Sequence, residues 1–177
     1  AQASGLPLVM EAERDPRKTS TYGTGQLLMD ALQRGFRDIR IAIGGSATND
    51  GGMGMASALG VRFLDCDGQE LEGIGENLEL VERIDISGLT PLIRQAKITV
   101  MCDVTNPLCG ENGATYTFGK QKGGTPEILD QLESGMQHYR DVIRNTFQTD
   151  PDQIPGTGAA GGLGAALLIY LGAEMCS

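Results

Sequence analysis

Three glycine-rich segments hold most of the residues able to do chemistry. In Gly44 to Gly52 (GGSATNDGG), four glycines let the backbone approach a ligand closely. Ser46, Thr48 and Asn49 add side-chain hydrogen bonds, and a helix following the loop would aim free N–H groups at an anion. Asp50 adds a carboxylate that could hold a magnesium ion or accept a proton. The plainer alternative is a tight structural turn between a strand and a helix.

The second segment, Gly156-Thr157-Gly158-Ala159-Ala160-Gly161, continues through Gly162 and Gly164 and matches G-x-G-x-x-G by letter. A dinucleotide fingerprint needs a strand directly before it, and Asp150 to Pro155 is not one, so NAD binding is rejected. Two readings remain: anion binding at the start of a helix, and close helix packing through small residues.

In the third segment, Cys102 to Gly124, a strand ending at Cys102 places Asp103 at its carboxyl tip. That is where open α/β sheets bind ligands. Further on, Lys120 and Lys122 stand among glycines before a helix, a setting suited to phosphate, or else simply exposed surface. This is not a Walker A sequence: the gap from Gly113 to Gly119 is one residue too long, and Gln121 stands where Ser or Thr would follow Lys120. The sole histidine, His138, sits in an amphipathic helix remote from the glycine loops and reads as a surface or boundary residue rather than a catalytic one. The cysteines Cys66, Cys102, Cys109 and Cys176 lack zinc spacing and read as reduced thiols of a cytoplasmic protein.

The elements that position these loops follow from pattern. A helix is expected over Thr24 to Gly35, a strand over Ile39 to Ile43, a short helix over Met53 to Leu59 and a strand over Val61 to Leu64, with a turn at Asp67-Gly68. Glu70 to Glu82 reads as a solvated acidic face, with a strand from Val81 to Ile86. Lys97 to Cys102 is a clearer, β-branched strand. Thr125 is placed as an N-cap with Pro126 in the first turn. After them, Ile128, Leu132, Met136, Tyr139, Ile143 and Phe147 recur at helical spacing. A final helix is expected over Leu163 to Leu171, with Tyr170 to Ser177 continuing as apolar helix without a stop signal. Alternating strands and helices imply an α/β class with a parallel or mixed sheet and flanking helices.

A chain of 177 residues is long enough for a core without disulfides or metal. A net charge of −9 leaves no basic footprint for nucleic acid or an anionic membrane surface. No apolar run is long enough to span a membrane. Glycine, at 26 residues, is about twice its usual share and clusters in the loops above. Both termini read as cut from a longer chain.

Taken together, the three segments resemble the glycerate kinase family. Ile41 to Gly60 (IAIGGSATNDGGMGMASALG) is similar to that family's signature, Cys102 to Gly124 to its second block and Gly158 to Ala165 (GAAGGLGA) to its third. Gly23-Thr24-Gly25 matches a shorter block. One departure is Lys120, where the family usually has proline; another is the absence of its opening Asp-Ser-Phe-Lys-Gly type motif. The resemblance implies the central α/β domain of a two-domain kinase plus part of the other domain, with residues 1–177 lacking N- and C-terminal segments.

It also implies transfer of the ATP γ-phosphoryl group to the 2- or 3-hydroxyl of D-glycerate, with Mg2+, in a protein that could form a homo-oligomer. Asp103 is expected to orient the hydroxyl and Asp50 to bind the metal, with the two roles exchangeable, and Lys122 to neutralise the transferring phosphate. Candidate contacts for substrate or phosphate are Gly45, Ser46, Thr48, Asn49, Asn106, Gln121, Gly158 and Gly161. The alternative is a catalytically incomplete domain that binds glycerate or nucleotide, or serves only structurally.

Overall fold

A computed structural model describes residues 2–176. Helix α1 (Tyr22–Gln33) starts two residues before the expected Thr24 and buries Leu28 and Leu32. The alternating Ile-Arg-Ile run becomes strand β1 (Asp38–Ala42). Helix α2 (Met53–Ala58) follows the first glycine loop, and β2 (Arg62–Leu64) pairs antiparallel with β3 (Arg83–Asp85) as a two-stranded sheet. Strand β4 (Lys97–Met101) pairs parallel with β1, Ile39 opposite Ile98 and Ile41 opposite Val100.

Helix α3 (Ala114–Phe118) and the long α4 (Pro126–Phe147) come next, and the Thr125 hydroxyl accepts from the Ile128 N–H at 3.4 Å as the sequence predicts. Leu132, Met136, Tyr139 and Ile143 of α4 are all buried. Helix α5 (Leu163–Leu171) leads to β5 (Glu174–Cys176), which pairs parallel with β4. The observed class is α/β, with a parallel sheet ordered β1-β4-β5 flanked by helices.

Two expectations are corrected. The chain after Tyr170 does not continue as helix: Gly172 adopts φ +65 at the C-cap, which ends α5 and lets residues 174–176 extend as β5, while Ser177 lies outside the described residues. The Glu70 to Glu82 segment is only half a solvated face. Its glutamates point outward, but Ile74, Leu78 and Val81 pack into the core beneath a 3-10 turn over Gly75–Leu80.

One hydrophobic cluster joins α1, α2, α4, α5 and one face of the parallel sheet, through residues such as Leu32, Met55, Tyr139, Leu167 and Val100. The opposite sheet face carries Asp38, Arg40, Lys97 and Glu174, with Lys97 and Glu174 paired at 3.1 Å. The core therefore fixes the sheet from one side. The carboxyl ends of β1 and β4 emerge together at its rim, where the glycine loops begin.

Candidate active site

Parallel neighbours with aligned ends put the chain after β1 beside the chain after β4. Between them lies a cleft of about 280 Å³. Gly45 and Ser46 line it from the β1 side, Asp103 from the tip of β4, and Gln121 and Lys122 from the turn before α4. Ala159 and Ala160 of the second glycine-rich segment close it. All three segments singled out in the sequence thus meet at one place.

Asp103 is exposed, and its carboxylate makes no hydrogen bond or ion pair with the other described residues. Its oxygens are open to a hydrogen bond from a ligand. The Ser46 hydroxyl and the N–H groups of Gly45 and Ser46 likewise have no partner among the described residues.

Lys122 departs most from what its residue type leads one to expect. It is only 2% exposed, and its ammonium donates to the Thr48 carbonyl at 2.7 Å. Burial lowers its pKa to about 8, against an opposing pull from the charge of Asp50. The folded chain therefore releases this proton near pH 8, whereas the unfolded chain keeps it to about 10.5. Between those values the unfolded state binds more protons, so stability should rise with pH across that window. A Lys122→Met variant should lack that rise. At pH 7 it should be more stable than the parent by about 1–2 kcal/mol, because the charge's desolvation outweighs one lost hydrogen bond. Urea unfolding at pH 7 and pH 9.5 checks both statements.

Asp50 is placed differently from its expected role. It is fully buried. Oδ2 accepts from the Thr21 N–H and hydroxyl, both at 2.7 Å, and from the Gly54 N–H at 3.2 Å, while Oδ1 accepts from the Gly52 N–H at 3.1 Å. Burial pushes its pKa up and these four bonds oppose that rise. The expectation is that Asp50 holds magnesium; the structure does not bring it to the cleft, and its oxygens are taken up by protein donors. Its position instead ties the start of α1 to the start of α2.

Other expected contacts also turn inward. Asn49 is buried and donates to the Thr115 hydroxyl at 3.1 Å. Thr48 is 1% exposed and offers its carbonyl to Lys122 rather than its hydroxyl to the cleft. The Asn106 side chain donates to the Asn112 carbonyl at 2.7 Å, within its own loop.

Gly158 and Gly161 serve packing. A Cβ on Gly158 would lie 2.1 Å from the Pro107 carbonyl oxygen, and one on Gly161, at φ +69, would lie 2.0 Å from that of Thr48. Gly161→Ala should therefore cost roughly 3 kcal/mol from combined backbone strain and overlap. A melting curve would show it as a clear drop.

The loop after β4 is held from outside. The Cys109 N–H donates to Asp152 at 2.9 Å and the Gly110 N–H to Glu133 of α4 at 2.7 Å. Arg140 in turn pairs with Asp152 at 3.1 Å. These carboxylates fix the strap that begins at Asp103. His138 is half-buried with its ring against the Val81 carbonyl at 2.8 Å, the boundary role its sequence setting suggests.

Sequence reasoning missed Cys102, Phe118 and Ala160 as cleft residues. Ala160 has φ +54, the conformation of its glycine neighbours, and only that glycine-rich context hinted at it. Nothing local marks Cys102 or Phe118.

A second groove of about 260 Å³ lies beside β1 and α1, lined by Leu27, Leu28, Ala31, Ile41 and Ile43. It is mainly apolar, with Arg40 as its charged lining residue, and it lacks the carboxylate that acid–base work on a hydroxyl needs.

Magnesium prefers carboxylates and phosphate oxygens and commonly takes only one or two protein ligands beside a nucleotide. Among the described residues no group of three or more His, Cys, Asp or Glu is placed to hold a metal. Asp103 is the one carboxylate among the described residues that line the cleft. No helix of the described residues is long and apolar enough to cross a membrane.

Comparison with known proteins gives the same direction. A profile described as the glycerate kinase family matches residues 1–177. Glycerate 2-kinase of Escherichia coli K12 is 49% identical over 177 residues, covering 100% of this chain and 46% of that protein. Glycerate kinase of Halalkalibacterium halodurans is 50% identical over 175 residues, covering 99% of this chain and 46% of its own. A solved structure described as glycerate kinase 2 from Salmonella typhimurium LT2 superposes with a TM-score of 0.95 at 47% identity, over 98% of this chain and 46% of that one. The chain spans about half the length of the curated relatives it matches.

Proposed function

The chain belongs to the glycerate kinase family, and on that premise we propose that its cleft holds D-glycerate while the γ-phosphoryl group of ATP is transferred to a glycerate hydroxyl. The observation that carries this reading is the convergence of the three loop segments on one cleft with an unpartnered carboxylate, Asp103, and a cation, Lys122. The chain is read as the central domain of a two-domain kinase with part of the other domain, working in the cytoplasm where ATP is made and used.

In the proposed step the substrate hydroxyl oxygen forms a bond to the γ-phosphorus and the bond from that phosphorus to ADP breaks. Asp103 takes the hydroxyl proton. The Ser46 hydroxyl and the amides of Gly45 and Ser46 orient the acceptor, with Gln121 at the opposite wall. A magnesium ion bound with the nucleotide would supply charge neutralisation on the phosphates. The product is read as 2-phosphoglycerate, supported by the relative named glycerate 2-kinase; 3-phosphoglycerate is the alternative.

The test is a chimera in which these 177 residues replace the segment of the E. coli protein that they match. With D-glycerate, ATP and Mg2+ the expected result is ADP release with a phosphorus NMR signal of 2-phosphoglycerate. A folded chimera that binds ATP and yields no phosphoglycerate overturns the reading. In that case the domain serves for binding or architecture only.

A further inference from the structure

We propose that the cleft is the seat of the hydroxy acid alone, with the substrate carboxylate held by Lys122 and the Gly45 and Ser46 amides, and that the triphosphate chain of the nucleotide is held outside it. This rests on the kinase reading above and says which of the two substrates the cleft takes.

Charge decides first. Among the described residues lining the cleft, the charged side chains are Lys122 and Asp103, one of each sign. A phosphate chain undergoing transfer calls for several positive groups around it. One ammonium beside one carboxylate cannot supply them. A monocarboxylate needs one, and Lys122 provides one.

Burial decides next. An ammonium has three donors. Lys122 directs one to Thr48 and, at 2% exposure, has little water for the others. A buried ammonium with a single hydrogen-bond acceptor is costly even with the Asp50 charge in range, and an arriving carboxylate completes its partners. Burial also strengthens that pairing, since the local dielectric is well below that of water.

Size agrees. About 280 Å³ is near the low end of small-molecule pockets. It suits a three-carbon acid lying between Lys122 and Asp103. In this arrangement the carboxylate meets the cation while a hydroxyl points to the base, so each charged lining residue has one task. The expectation that Lys122 neutralises the transferring phosphate is thereby replaced by a carboxylate contact.

The experiment is amide NMR titration of the 177-residue chain with D-glycerate, with glycerol and with MgATP, each added separately. D-glycerate should shift Gly45, Ser46 and Lys122 saturably. Glycerol, which lacks the carboxylate, should leave them unmoved. MgATP should also leave them unmoved. Lys122→Met should weaken D-glycerate binding at least tenfold, and Lys122→Arg should weaken it less.

Shifts of the same amides by MgATP, with D-glycerate competing, would overturn the assignment. So would glycerol binding as well as D-glycerate, unchanged D-glycerate affinity in Lys122→Met, or the absence of any D-glycerate shift at Gly45 and Ser46. The kinase reading stands or falls separately on turnover by the chimera: an active chimera with any of these overturning results would refute only the assignment of the cleft.

Discussion

Asp50→Ala should lower the unfolding free energy by about 4 kcal/mol, and the melting temperature by about 10 °C for a domain of this size. The carboxylate is fully buried and accepts four hydrogen bonds, from Thr21 twice, Gly52 and Gly54. Removing it leaves those donors buried without an acceptor. Thr21 sits at the N-cap of α1, and Gly52 and Gly54 at the start of α2, so both helix starts lose their common anchor. Asp50→Asn should cost about half as much. Its amide oxygen can still serve the three donors grouped at Oδ2, while its NH2 faces only the Gly52 N–H. If Asp50 were instead a magnesium ligand at an accessible site, alanine would leave stability nearly unchanged and EDTA would shift the parent's melting curve. Calorimetry of the two variants, with and without EDTA, separates these outcomes.

Asp103→Asn should lower kcat at least 100-fold in the chimera, about 2.7 kcal/mol of barrier, while leaving its melting temperature within about 1 °C. The side chain is exposed and makes no contact that a fold would miss. Asparagine keeps the shape and removes the proton-accepting oxygen. KM for D-glycerate should change little, because the carboxylate of the substrate meets Lys122. A loss under tenfold would remove Asp103 as the base. The two aspartates thus predict opposite signatures: stability lost at Asp50, rate lost at Asp103.

That contrast also marks how far the sequence could be read. Helix α4 is legible because Thr125, Pro126 and an apolar repeat agree over 22 residues. Strand β4 is legible from its β-branched run, and Asp103 follows as the residue at its tip. The roles of Asp50 and Lys122 are not legible, since both depend on partners distant in the chain. Thr21 lies 29 residues before Asp50, and Thr48 lies 74 residues before Lys122. Lysine is normally exposed, so residue type alone argues against its burial here. Gly158 and Gly161 illustrate a different ambiguity. A glycine that admits a ligand and a glycine that admits another loop have the same letter, and only the carbonyls of Pro107 and Thr48 tell them apart. Strand β5 was hidden because Gly172 interrupts a run whose hydrophobicity otherwise continues.

The most direct test of the central claim is a crystal structure of the chain soaked with D-glycerate. The account predicts the acid in the cleft at the ends of β1 and β4. Its carboxylate should lie within about 2.7–3.2 Å of the Lys122 ammonium, with a hydroxyl directed at Asp103. Glycerate density in the apolar groove between α1 and β1, with the cleft vacant, would contradict it.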